Sequence, residues 1–185
     1  RTQLKNKIHG EQALGIPSKA VFRSLNRSKK ILDKEIKSLE TRLLSLVKEE
    51  HQQQLTNLKS IPGLGDKTAA LLIVLTDGFT KFETASQLCS FAGTTPTIRQ
   101  SGSSVRGKSR ISKMGNQKLR NLLFLCAFSA SKYNTACRKI YERIIAKGKS
   151  KKLALIAVIN KLIKQAFAIA KSGLPYDPNY ATKLN

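Results

Sequence analysis

Seven Lys or Arg side chains and five serines fall between Thr95 and Arg120, in a stretch, TPTIRQSGSSVRGKSRISKMGNQKLR, that holds no acid. Guanidinium, ammonium and hydroxyl groups are good partners for phosphate oxygens. Arg99, Arg106, Lys108, Arg110, Lys113, Lys118 and Arg120 surround a run with the composition of a loop: Gly102, Gly107 and four serines from Ser101 to Ser109. KMGNQKLR then begins a helix, with Asn116 placed to cap it and a first turn suited to a further phosphate. A linker would share this composition, but joining two helices of one small domain does not call for seven positive charges. With no tryptophan in the chain and few aromatics in this stretch, base stacking cannot be the main binding mode. Phosphate contacts with steep salt dependence are expected instead.

A second phosphate-binding candidate lies upstream, in LTNLKSIPGLGDKTAALLIVL. Gly63 and Gly65 flank Leu64, and an apolar helix follows directly, a pattern that resembles a helix-hairpin-helix. Two glycines let the chain turn tightly and approach a ligand closely. The amides of Gly65 to Lys67 open a helix N-terminus, where anions bind well. Lys67 adds charge and Thr68 a hydroxyl. Asp66 is able to cap the same amides without any ligand, so a capped interhelical turn is the structural alternative. No strand precedes this turn and no GK[ST] follows it, which excludes a dinucleotide fingerprint and a Walker loop.

The totals bound the partner. A chain of 185 residues with 41% hydrophobic content supports one globular core plus an extended arm. A net charge of +23 and a pI near 10.3 call for a polyanion, nucleic acid first and an anionic membrane second. Of the acids, only Glu142 and Asp177 follow Glu83, so the C-terminal half is almost wholly cationic. No run of 18 uninterrupted apolar residues occurs and no signal peptide opens the chain, so no membrane association and a cytoplasmic location are expected. Cys89, Cys126 and Cys137 are odd in number and lack CxxC spacing, and His9 and His51 stand apart from them. No disulfide, metal site or cofactor motif is expected within the chain, and Cys126, in LLFLCAF, reads as a buried thiol.

The elements that position these residues are helices. RTQLKNKIH begins mid-helix with no initiator Met, so a piece of a longer protein is expected, and Pro17 is able to start the next helix. From Phe22 the apolar positions run through Leu25, Leu32, Ile36, Leu39, Leu43 and Leu46, and from Leu32 onward the steps are four, three, four, three. That heptad spacing predicts a long amphipathic helix that pairs as a coiled coil, or else packs on its own domain. A short helix follows from Thr84 to Ala92, closed by Gly93. Three more come after the basic segment, the last capped by Ser150 and ended by Gly173. No strand-like alternation is evident. The expected fold is all-α: an arm over 1–50, a compact helical domain with the hairpin over 51–173, and a flexible tail over 174–185.

IPGLGDKTAALLI, then FETASQLCSFAGTTP, then RQSGSSVRGKSRISKMGNQKLRNLL resemble, in this order and spacing, the C-terminal half of the insertion-sequence-110/116/902 transposases, the group that includes the Piv-type DNA invertases. The resemblance covers roughly Phe22 to Ala170, and the QSG…ISKMGN…LR block is its most specific part. It implies a helical domain that supplies a serine nucleophile to a DNA phosphodiester. That serine maps to Ser101, with Ser103 and Ser104 as alternatives in the same loop. It also implies a coiled-coil arm that assembles a dimer or tetramer, and DNA as partner, with a structured guide RNA in some members. A divalent metal, Mg, is implied through acids of a RuvC-like N-terminal domain absent from this chain. Asp66, Asp77 and Glu83 form no paired set that would replace those acids. A serine hydroxyl needs activation, and Arg106, Lys108, Arg110 and Lys113 would stabilise the charge that develops on the phosphoryl oxygens. Strand exchange is therefore expected of the full-length protein, and DNA or RNA binding of this chain. The alternative is a non-catalytic helix-hairpin-helix DNA binder or an RNA-binding structural protein, which would need the charge but not Ser101.

Overall fold

A computed structural model describes residues 2–13, 19–97, 100–101, 105–106, 110–112 and 114–180, with backbone alone at 100, 101, 105 and 106. Pro17 lies outside these residues. Seven helices are present among them: α1 (Thr2–Ala13), α2 (Lys19–Lys59), α3 (Asp66–Thr76), α4 (Ala85–Phe91), α5 (Gln117–Tyr133), α6 (Thr135–Ala146) and α7 (Lys151–Ser172). The helical class is as expected. The chain forms two compact units, 1–46 and 47–185.

The first unit holds α1 and the opening of α2. No Gly or Pro occurs from Lys19 to Lys59, so nothing in the sequence interrupts α2. Its heptad positions Leu32, Ile36, Leu39, Leu43 and Leu46 form a stripe that is 36–65% exposed.

In the second unit α2 departs from helical dihedrals at His51 (φ −132°, ψ 35°) before resuming to Lys59. The core is organised by α7, which packs against α4, α5 and α6. Its buried face repeats with helical period: Ala154, Leu155, Val158, Ile159, Leu162, Ile163, Ala166 and Ile169. By length and composition α7 is apolar enough to cross a membrane, which differs from the expectation that no segment is. The reason is that isolated lysines interrupt its apolar runs without lowering the average much. That apolarity is spent on the core. Ser150 caps the helix by accepting from the Leu153 amide, and Gly173 closes it in the left-handed conformation.

Two expectations are corrected. Of the tail, read as flexible over 174–185, the described part, 174–180, is tied down at Tyr176. Its amide donates to Ser60 Oγ at 2.7 Å, and its hydroxyl to Asn134 Oδ1 at 3.2 Å. Cys126 is only partly buried, with Sγ 3.3 Å from the Thr68 hydroxyl. Cys89 and Cys137 are the buried thiols, and burial pushes the pKa of Cys137 up to about 12, with the Lys161 charge acting in the opposite sense.

The basic segment, expected to be a loop, holds strand pairing among its described residues. It carries two short antiparallel ladders. β1 (Pro96–Thr97) pairs with β4 (Arg110–Ile111), and β2 (Gln100–Ser101) pairs with β3 (Val105–Arg106). The pairs nest: Pro96 faces Ile111, Thr97 faces Arg110, Gln100 faces Arg106 and Ser101 faces Val105. Strands of two residues are too short to display a period of two, which is why alternation could not announce them.

Candidate nucleic-acid interface

The nested hairpin leaves and rejoins the helical unit through one neck. Gly93 ends the turn after α4 at φ +70°, and Gly115 precedes α5 at φ +139°. A Cβ on Gly93 would lie 2.6 Å from Arg120 Nη1 and 2.8 Å from the Met114 carbonyl oxygen. One on Gly115 would strike the Phe91 carbonyl and sit 2.9 Å from the Gly93 nitrogen. The two backbones thus touch where only glycine fits. Around them the Asn116 amide donates to the Phe91 carbonyl and the Ser112 amide to the Thr95 carbonyl, both at 2.9 Å. Thr94, fully buried, places its hydroxyl 2.5 Å from Asn160 Oδ1 on α7. Thr94 and Asn160 escaped the sequence reading. A Thr beside the Gly that ends a helix was the available signal, and it is a weak one.

Asn116 caps α5, its Oδ1 accepting from the Leu119 amide at 2.9 Å. Lys118 is exposed on the first turn, which carries no acid. Arg110 is exposed on β4, and its carbonyl accepts from the Thr97 hydroxyl at 2.9 Å. Arg120, read as a nucleic-acid contact, is turned to the neck instead: its Nη1 donates to the Ala92 carbonyl at 2.9 Å. Arg99, Lys108 and Lys113 lie outside the described residues, as do Ser103, Ser104 and the side chains of Ser101 and Arg106.

At the α2–α3 turn the two glycines do different work. Gly63, at φ +99°, packs against α5: a Cβ there would lie 2.6–2.7 Å from the Ala130 backbone. Its freedom serves helix packing, not the approach of a ligand. Gly65 is the N-cap of α3 in ordinary extended conformation, with open space where a Cβ would point. It brings no capping side chain, and Asp66 reaches Lys59 Nζ at 2.8 Å rather than the helix amides. Lys67 lies on the exposed first turn. Thr68 is 4% exposed and faces Cys126, so its hydroxyl is turned inward, away from any phosphate at the helix end.

These contacts do not form one cluster. Gly63 abuts Ala130 toward the C-terminal end of α5, whereas the neck is tied to Asn116 at its start. Fourteen residues of α5 separate the two points, roughly 21 Å of helix. Among the described residues no three His, Cys, Asp or Glu side chains stand together as a metal site.

The helical unit thus presents a cationic hairpin from a glycine neck at the start of α5, and the turn that leads into the uncapped start of α3 lies against the other end of α5. Residues 55–142 match the model of the Transposase IS116/IS110/IS902 family. It is 38% identical over 120 residues to the insertion element IS110 uncharacterized 43.6 kDa protein of Streptomyces coelicolor, covering 65% of this chain and 29% of that protein. It is also 39% identical over 123 residues to the pilin gene-inverting protein of Moraxella lacunata, and 37% identical over 122 residues to that of Moraxella bovis. Each of these matches covers 65% of this chain and 38% of the relative. The chain thus spans roughly a third of the length of these curated relatives.

Proposed function

We propose that this chain is the DNA-gripping, serine-bearing part of a recombinase. The cationic hairpin and the start of α3 hold the phosphate backbone, and Ser101 supplies the nucleophile. The observation that carries this reading is the register of the hairpin. Ser101 pairs with Val105 in the inner ladder, beside the Gln100–Arg106 rung, on a stem anchored through Thr94 to α7. A serine at this register belongs to backbone braced to the helical unit, in a stretch of sequence rich in cations.

The step is a transesterification. Ser101 Oγ gives up its proton and bonds to phosphorus. One phosphorus–oxygen bond to the sugar breaks, and the departing sugar oxygen takes a proton. The gain of one phosphoester offsets the loss of the other, so the strand stays activated for rejoining. The divalent metal that the family resemblance implies would be held by carboxylates of a further domain, and no step is assigned to it. A structured RNA is the second polyanion that the same cations would accept.

Arg106→Gln/Lys108→Gln/Arg110→Gln tests the grip. The slope of log K against log salt for duplex DNA is expected to fall by about 2–3, at about 0.9 per lost phosphate contact, with a structured RNA measured alongside. An unchanged slope for both would move the hairpin out of the interface.

Self-association through α2 belongs to the same reading. A second copy is the occupant that matches the exposed heptad stripe, because an identical seam supplies the same spacing. Leu39→Lys/Leu43→Lys should reduce the assembly to a monomer in sedimentation equilibrium. A wild-type chain that is already monomeric at tens of micromolar sinks this part of the proposal.

A further inference from the structure

The hairpin does not account for all the unpaired charge. Between Lys139 and Lys152 the chain carries six cations, Lys139, Arg143, Lys147, Lys149, Lys151 and Lys152, against one acid, Glu142. All six are exposed, and none of them forms an ion pair among the described residues. Only Lys139 lies within the part of the chain that matches the family, 55–142; the other five fall beyond it.

Their arrangement is regular. Lys139, Arg143 and Lys147 recur every four residues, so they share one stripe of α6 and its end, with steps of roughly 6 Å. Gly148, at φ +67° with open space around it, turns the chain toward α7. Lys149, Lys151 and Lys152 then crowd the start of that helix, where no acid stands in the first turn. A helix start repels cations. Three lysines there are a local electrostatic conflict that the fold does not need, since Ser150 alone supplies the cap. Conflicts of this kind mark functional positions.

We infer that the α6–α7 corner is a second DNA-binding surface, distinct from the hairpin, that takes the phosphate backbone of a duplex. A corner with a regular row of charges, and no exposed aromatic in the row, suits a ladder of phosphates better than unstacked bases. The corner lies within reach of the first site. Asn160, which ties the hairpin's base to α7, follows Lys151 by nine residues, about 13 Å of helix. Duplex held at the hairpin would extend along this half of α7, and the corner would hold flanking DNA irrespective of sequence.

The test is a titration of the full chain and its Lys147→Gln/Lys149→Gln/Lys151→Gln/Lys152→Gln variant with a 25-base-pair duplex of arbitrary sequence and, separately, with a structured RNA. The salt slope for the duplex is expected to drop by about 3–4, and affinity at 100 mM salt by at least ~10-fold. Far-UV circular dichroism should be unchanged and the thermal midpoint equal or higher, because the conflict at the start of α7 is relieved. A folded variant with an unchanged duplex slope overturns the inference and makes the corner a solvated face. Loss confined to RNA overturns the DNA assignment. The hairpin triple variant separates the two surfaces: if it binds normally while the corner variant does not, the hairpin reading fails and the corner stands.

Discussion

On the proposed reading, Ser101→Ala in the full-length protein, supplied with its element's DNA and flanking transcripts, is expected to abolish the covalent protein–DNA adduct on denaturing gels. The expected loss in adduct formation is roughly 10⁴-fold or more, the scale on which removal of a serine nucleophile acts. DNA affinity should change by less than about twofold, because a neutral hydroxyl releases no counterion. Together the two measurements separate chemistry from grip. A non-catalytic DNA binder predicts no adduct from either protein, and an unaltered binding curve. If the alanine protein still forms the adduct, the nucleophile is another residue, and Ser103 and Ser104 are the first to examine.

The second large effect is structural. In Gly115→Ala the new methyl must occupy space held by the Phe91 carbonyl, on a backbone at φ +139° that L side chains rarely adopt. Backbone strain and overpacking each cost about 1–3 kcal/mol, so a total near 3 kcal/mol is expected. That corresponds to a fall of roughly 10 °C in the thermal midpoint for a chain of this size. The matched control is Gly65→Ala, at φ −88° with nothing nearby, which should cost under about 1 kcal/mol. Thermal unfolding of the two variants checks both values. Similar midpoints would mean that the neck yields easily and does not fix the hairpin. In the full-length protein, Gly115→Ala should also reduce adduct formation, although it lies fourteen residues along the chain from Ser101.

Much of this fold was legible because helices announce themselves by period. The four-three spacing from Leu32, the cap at Asn116, the cap at Ser150 and the stop at Gly173 each follow from one local rule, and each corresponds to an observed feature. The hairpin was not legible, because its pairing joins residues as far apart as Pro96 and Ile111 through strands too short to carry a pattern. The neck was hidden for the same reason: Gly93 and Gly115 look like two loop glycines until the backbone brings them together. Gly63 and Gly65 show the limit from the other side. They are the same residue type two positions apart in one motif, yet one is claimed by Ala130 and the other is open. Thr68 and Arg120 had the right chemistry for phosphate, but the fold had already assigned their polar atoms to Cys126 and Ala92. Tyr176 likewise sat in a stretch whose composition said tail, and its contacts are with Ser60 and Asn134, far away in sequence.

The composition of α7 has a consequence for how the protein is made. A helix that a bilayer would accept is a hazard in any chain that has not finished folding, since exposed apolar surface draws in other chains, chaperones or membranes. Here the order of synthesis limits that hazard. Its packing partners, α4, α5 and α6, all precede α7 in the chain, so each has left the ribosome before α7 does. A long apolar helix that emerges after its packing partners is buried sooner, which shortens the interval in which a nascent chain is most prone to aggregate.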